Sequence, residues 1–142
     1  MISKSALYAL RACVELAQLP AGKFATASQV AETCGSPAKY LSKLLEILIN
    51  RGLVRSQKGL HGGYALTRPA ETITLFDIID PIDQVSRLPE CLLGQPQCSD
   101  ADPCPAHERW RHVRGALTQM LATTTLAELL PKPQRLMDSE KT

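Results

Sequence analysis

LVRSQKGLHGGYALT, residues 53–67, is the stretch that decides how this chain folds. Leu53–Gln57 and Tyr64–Thr67 alternate apolar and polar residues, the pattern of short half-buried strands. Between them lies KGLHGG, residues 58–63, with three glycines and a lysine. Glycine lets a backbone approach a phosphate closely, and Lys58 supplies positive charge. An ordinary hairpin turn is the plainer alternative. What precedes the hairpin decides between them.

Upstream, Ser36-Pro37 combines an N-cap residue with a proline suited to a first helical turn. Leu41, Leu44, Leu45 and Leu48 then recur at i, i+3, i+4 and i+7, the apolar stripe of a helix reaching about Asn50. Its opposite surface offers Lys39, Tyr40, Ser42 and Lys43. Thr26 is the expected cap of a shorter helix over 27–33, which Gly35 ends. A first helix, Ser3 to Leu19, carries Leu7, Leu10, Val14 and Ala17 on one face and stops at Pro20-Ala-Gly22. Two helices joined by a short glycine-containing turn form a helix-turn-helix, whose second helix can enter the major groove by its N-terminal end. With the hairpin behind it, the pattern is a winged helix-turn-helix. The expected DNA-contacting residues are Ser36, Lys39, Tyr40, Ser42 and Lys43 on the helix. On the wing they are Lys58, Gly59, His61, Gly62 and Gly63.

Charge agrees with this placement. Residues 1–70 hold nine Lys/Arg against three Asp/Glu, a net of +6, while residues 71–142 hold seven against eleven, a net of −4. A basic half joined to an acidic half suits a polyanionic partner for the first half. With 142 residues, 44% hydrophobic and 21% charged, the composition is that of a globular protein able to bury its own core. No apolar run is long enough to span a bilayer. The opening MISKSALYAL lacks the layout of a secretory signal, so a cytoplasmic location is expected. No glycine-rich nucleotide loop, nucleophile–base pair or paired carboxylates in a cleft suggest an enzyme.

The second half reads differently. Thr74 can cap a helix through Ile79, which Pro81 is expected to stop or kink. Residues 81–104 read as a long loop rich in proline. Pro105 is expected to open the longest helix, running to about Ala122, with Trp110, Val113, Leu117 and Met120 or Leu121 on one stripe. Such a helix has little of its own to pack against, and docking on a second copy covers it. A homodimer through Trp110, Val113, Leu117, Met120 and Leu121 is the expectation. It would present two recognition helices about 34–36 Å apart to a palindromic operator. Thr125 and Glu128 fit a capping box for a short last helix, and 131–142 reads as a polar tail. The expected divisions are 1–80, the winged domain; 81–104, the cysteine loop; 105–130, the dimerisation helix and short terminal helix; and 131–142, the tail. The fold class is mainly α with one small β-hairpin.

Three of the five cysteines, Cys91, Cys98 and Cys104, fall within 14 residues of the loop, and with His107 they read C-x6-C-x5-C-x2-H. In a reducing compartment such a cluster points to a metal or redox site rather than a disulfide framework. Cys104 stands at the edge of a helix N-terminus, where the dipole favours its thiolate. Three thiolates and one imidazole fill four coordination positions. A structural zinc, an iron–sulfur cluster and a metal-free thiol switch all fit this donor set. Cys13 and Cys34 read as small buried apolar residues.

YLSKLLEILINRGLVRSQKGLHGGYALTRPAETITLFDII, residues 40–79, resembles the DNA-binding half of the IscR-like regulators, a family that includes IscR, NsrR and RirA. SALYALRACVELA, CPAHERW and TLAELL resemble its first helix, the end of its cluster loop and its closing segment. The resemblance covers residues 1–130. It implies a dimeric winged-helix transcription regulator, with repression as the expected sense, controlled by an iron–sulfur cluster that senses redox state, nitric oxide or iron status. By motif match, Cys91, Cys98 and Cys104 are the thiolate ligands and His107 the fourth. NsrR-like members hold a 4Fe–4S cluster through a carboxylate near the start of the first helix. Here that region has Leu7, Tyr8 and Ala9, with no acid before Glu15, which favours His107 and a 2Fe–2S cluster. The first cysteine gap is one residue longer than the IscR pattern.

Overall fold

The computed structural model describes residues 2–131. Almost all of the expected tail, 131–142, lies outside them. Five α-helices and one hairpin follow in the order α1 (Lys4–Ala17), α2 (Ala27–Cys34), α3 (Ala38–Asn50), β1 (Val54–Gln57), β2 (Gly63–Leu66), α4 (Leu75–Asp83) and α5 (His107–Thr123). Short 3-10 turns stand at Ala70–Thr72, Val85–Arg87 and Leu126–Leu129. The fold is mainly α with a winged hairpin, as the patterning implies.

The caps explain most of the boundaries. Thr26 Oγ1 accepts the Gln29 N–H at 3.2 Å while the Gln29 side chain accepts the Thr26 N–H at 2.8 Å, a reciprocal box that starts α2. Gly35 ends α2 in the left-handed region, φ 72°. The start of α3 differs from expectation. Pro37, not Ser36, is the N-cap, and no side chain caps the helix. Ser36 is 9% exposed and its hydroxyl donates to the Pro37 carbonyl at 3.2 Å, so it faces away from solvent.

Leu41, Leu44, Leu45 and Leu48 of α3 pack with Ala12, Cys13, Leu16, Val30, Ile73 and Ile78 in the main core. Leu53 and Val54 carry this core to the foot of the wing. A smaller core gathers Ala6 of α1, Leu75 and Ile79 of α4, Val85 and Leu121 of α5. Leu126 closes the main core from the far end, drawn in by its N–H bond to the Ile73 carbonyl at 2.8 Å.

The hairpin is antiparallel, pairing Val54 with Leu66 and Gln57 with Gly63. Ala25, just before α2, bridges to the hairpin: its N–H donates to the Tyr64 carbonyl at 3.0 Å, and its carbonyl accepts the Tyr64 N–H at 2.7 Å. This bridge ties the wing to the helix-turn-helix.

Pro81 does not stop α4, which continues to Asp83 with the proline inside it. A proline in the last turn removes only one ladder bond, and Gln84 ends the helix instead by adopting φ 53° and donating its N–H to the Asp80 carbonyl at 2.8 Å. Thr74 and Asp77 form the reciprocal cap at the other end, at 3.1 and 3.0 Å. Because α4 packs against both α1 and α5, Thr74→Ala is expected to lower unfolding stability by about 1 kcal/mol, measurable as a shifted urea midpoint.

α5 begins at His107, two residues after the expected Pro105. It is not unpartnered within the protomer. Leu121 is 1% exposed and belongs to the smaller core, with Leu117 packed beside it. Val113 and Met120 stay about half exposed, and Trp110 donates its indole N–H to the Pro89 carbonyl at 2.8 Å, strapping the loop to the helix.

Candidate DNA-contacting surface and thiol cluster

Lys39, Ser42 and Lys43 of α3 face Ser56 and Tyr64 of the hairpin across a groove of about 500 Å³, which Glu46, Ile49 and Asn50 of the same helix also line. Helix and wing therefore present one continuous surface. Lys39 and Lys43 are exposed. Ser42 is half-buried and spends its hydroxyl on the Ala38 carbonyl at 3.0 Å. Tyr40 is 39% exposed, but its hydroxyl meets the Ser5 hydroxyl and its ring stands edge-on to Tyr8 at 6.3 Å. It braces α3 against α1 while leaving one edge free.

The three wing glycines have different tasks. A Cβ on Gly59 would meet nothing, and its φ of 95° shapes the tip. A Cβ on Gly62 would lie 2.2 Å from the Gln57 carbonyl oxygen, and one on Gly63 would lie 2.3 Å from the Ala25 oxygen. Hairpin closure and the Ala25 bridge thus leave no room for a side chain at either position. Lys58 and His61 are exposed, His61 at φ 63°. Leu60 between them is 87% exposed at the wing tip, a position that sequence pattern alone treats as part of the loop.

The loop folds back so that its three cysteines meet. The Sγ atoms of Cys91, Cys98 and Cys104 all lie within 4.8 Å of one another, and Cys91 and Cys104 are 3.8 Å apart. Turns make this possible: the Gly94 N–H bonds the Cys91 carbonyl, and the His107 N–H bonds the Cys104 carbonyl. The Cys104 N–H donates to Cys98 Sγ at 3.4 Å. His107 stands beside the triad, touching it through Nδ1 at 3.3 Å from Cys98 Sγ. It is 9% exposed. Its Nε2 lies 2.8 Å from Asp100 Oδ1, and Arg111 reaches the same oxygen at 3.3 Å. Sequence reading passes over Asp100, because a loop acid with another acid two residues on carries no periodic signal.

The thiols differ in acidity. Backbone N–H bonding, from Gln95 and then Leu93, holds Cys91 below the ordinary thiol range despite its burial. Cys98 accepts from Cys104 N–H, which pulls its pKa down, but burial and the neighbouring thiols outweigh this and leave it raised. The hydrogen bond from His107, with the charge of Arg111, holds Asp100 below the usual carboxylate value. Cys13 is different in kind: full burial, with a smaller contribution from Cys34, pushes it up to about 12. Cys34 is raised by burial and by Glu15. Thiolate is the nucleophilic form. Brief alkylation of the native, reduced protein at neutral pH is expected to label the loop cysteines and spare Cys13 and Cys34, as read by peptide mass mapping. Labelling of Cys13 at the rate of Cys91 would contradict this.

A family model described as Rrf2, iron-dependent transcriptional regulator, matches residues 2–132. The chain belongs to the Rrf2 family. Rrf2 regulators bind DNA, and this Rrf2 chain is a transcriptional regulator rather than an enzyme. The HTH-type transcriptional regulator IscR of Escherichia coli is 31% identical over 123 residues, covering 87% of this chain and 75% of that protein. Protein Rrf2 of Nitratidesulfovibrio vulgaris is 29% identical over 123 residues, with 87% and 82% covered. Among solved structures, CymR, the global cysteine regulator of B. subtilis, superposes with a TM-score of 0.73 at 32% identity, covering 91% of this chain and 95% of that one. IscR of T. potens gives 0.71 at 26% identity, covering 99% and 89%. The resemblance to IscR-like regulators thus holds at the level of family and fold. Among the described residues, no helix is long and apolar enough to cross a membrane.

Proposed function

We propose that this Rrf2 regulator grips operator DNA through α3 and the wing, under the control of an iron–sulfur cluster held by Cys91, Cys98, Cys104 and His107. The observation that carries the reading is the meeting of three Sγ atoms within 4.8 Å on irregular backbone. The donor set fits the group. Thiolates are the normal ligands of iron–sulfur clusters, an imidazole can replace one, and N–H bonds to sulfur tune them. The backbone N–H groups at Cys91 and Cys98 are of that kind. Four donors of this type favour a 2Fe–2S cluster, with 4Fe–4S as the alternative nuclearity. When bound, the cluster supplies redox and ligand-exchange chemistry. A cleft of about 310 Å³ lined by Gln95, Pro96, Cys98, Asp102 and Cys104 gives a small signal molecule access to it.

The protein's own residues carry the response onward. His107 is the first residue of α5, α5 packs on α4, and α4 packs on α1 and α3. Order in residues 91–104 therefore bears on the helix that positions the reading head. The half-exposed Val113 and Met120, with Trp110 and the free side of Leu117, form the face of α5 through which two copies pair. Leu121 is committed to the protomer's interior. The assembly works in the cytoplasm, where its thiols stay reduced. Anaerobic purification followed by absorption and Mössbauer spectra tests the cofactor. A colourless protein without iron would sink the cluster reading.

One observation favours a second reading. Cys91 and Cys104 Sγ are only 3.8 Å apart, and a solved relative is an oxidized CymR of Staphylococcus aureus, TM-score 0.74 at 29% identity. A metal-free thiol switch would then operate by oxidation of two of the three cysteines to a disulfide, a peroxide-class oxidant taking up the two electrons and two protons and being reduced to water or alcohol. Reversible loss of two free thiols, with no bound metal, would mark it; stoichiometric bound zinc would mark a structural zinc site instead.

On the DNA side, phosphate contacts from the basic face should dominate affinity. Lys58→Ala on the wing is expected to weaken binding evenly across sequences and to reduce the slope of log affinity against log salt by about 1. Lys39→Ala is expected to weaken binding and also alter sequence preference. Titrations at several salt concentrations, against operator and scrambled duplexes, check both.

A further inference from the structure

We propose that Asp100 is a positioning residue that holds His107 in one ring orientation and one tautomer, with an unprotonated Nδ1 turned to the thiol triad. The inference rests on the reading above that His107 joins the triad as a ligand. Asp100 Oδ1 lies 2.8 Å from His107 Nε2, while Nδ1 lies 3.3 Å from Cys98 Sγ. An ionised carboxylate only accepts hydrogen bonds, so Nε2 carries the proton and Nδ1 keeps its lone pair. Cys98 S–H can donate to that lone pair in the absence of metal. Once the thiol is deprotonated, the same lone pair is free to ligate. A carboxylate on the distal ring nitrogen is the recurrent means of orienting a ligating histidine.

Asp100 is itself held in place. Arg111 Nη1 reaches its Oδ1 at 3.3 Å, and Arg111 also pairs with Glu108 at 3.5 Å. The Ser99 hydroxyl accepts the Asp102 N–H at 3.1 Å and the Ser99 N–H donates to the Asp102 carbonyl at 3.3 Å, fixing the bend on which Asp100 stands. His107, by contrast, is nearly enclosed. The exposed acid therefore reaches in to a buried imidazole, and its removal leaves Nε2 with no protein acceptor in its present contacts.

The test uses the full chain, reduced and metal-free, with His61→Asn and His112→Gln so that His107 is the one histidine. Imidazole 15N shifts are read in mildly alkaline buffer, above the ordinary histidine range. The Nε2–H tautomer is expected to dominate. Asp100→Ala is expected to shift the tautomer ratio by about tenfold, the worth of a charge-assisted hydrogen bond. Asp100→Asn, which keeps an acceptor oxygen, restores most of the preference. An unchanged ratio in Asp100→Ala, or a dominant Nδ1–H form in the parent, overturns the proposal. A second arm reconstitutes the protein with ferrous iron and sulfide and reads 14N coupling by pulsed EPR of the reduced cluster. Coupling should be present in the parent, diminished in Asp100→Ala and recovered in Asp100→Asn. Equal coupling in all three also overturns it. Failure of the parent to take up iron overturns the cluster reading, while the tautomer arm still decides the role of Asp100.

Discussion

Cys98→Ala is expected to abolish cluster retention, taking visible absorption and bound iron to baseline after anaerobic purification. Of the three thiols, Cys98 is the one in contact with both the Cys104 N–H and the His107 ring. Its loss breaks the triad and removes the neighbour of Nδ1. The fold should survive, because the side chain lies outside both cores. DNA affinity of the variant is expected to become indifferent to iron loading and oxidation, erasing a coupling that typically amounts to roughly 5- to 150-fold. Cys13→Ala is the control. It sits in the main core, far up in pKa, and should cost stability while leaving iron content intact. A Cys98→Ala protein that keeps its iron and its response would refute the assignment of this residue.

Gly63→Ala is expected to produce the largest loss of stability among single wing substitutions. The new Cβ would sit 2.3 Å from the Ala25 carbonyl oxygen and 2.9 Å from the Thr26 nitrogen. Both are backbone atoms and cannot swing aside. The residue also holds φ 137°, which a side chain disfavours. Strain and overpacking together suggest about 3 kcal/mol. The damage should not stop at the hairpin, because the Ala25 bridge leads directly into the Thr26 cap of α2. Gly59→Ala, at an open position with φ 95°, meets only the backbone penalty and serves as the comparison. Urea unfolding of the two variants should separate them clearly. Equal midpoints would show that the clash is relieved by a movement the present geometry does not suggest.

How much of the fold and of the site is legible in the sequence depends on the type of signal. Periodicity and caps locate the winged helix well. The leucine stripe of α3 is buried residue for residue, and the Thr26, Thr74 and Thr125 caps all make a hydrogen bond to the residue three positions on. Ser36-Pro37 misleads by one position, because a serine beside a proline can turn its hydroxyl to the proline carbonyl instead of to the helix. Pro81 misleads because a proline's cost depends on its distance from the helix end, and that end is set by Gln84. Leu121 carries the same periodic signal as Val113 and Met120. Only the packing of α5 on α4 distinguishes inward from outward. The cysteine pattern marks a candidate site but not its geometry. The spacing of thiols along a loop says nothing of which turns bring them together, and Asp100 carries no motif.

The two inward glycines alter the thermodynamics of the wing. A loop with three glycines suggests a floppy arm that must be frozen when it meets DNA. In the fold, Gly62 is packed under the Gln57 carbonyl and Gly63 under Ala25, and the Gly62 N–H closes on the Gly59 carbonyl at 3.0 Å. The arm is thus preorganised. Under the proposed docking on DNA, little conformational entropy is left to lose, so more of the wing's contact energy should appear as affinity. Binding by the wing should therefore resemble the seating of a rigid part rather than the folding of a tether.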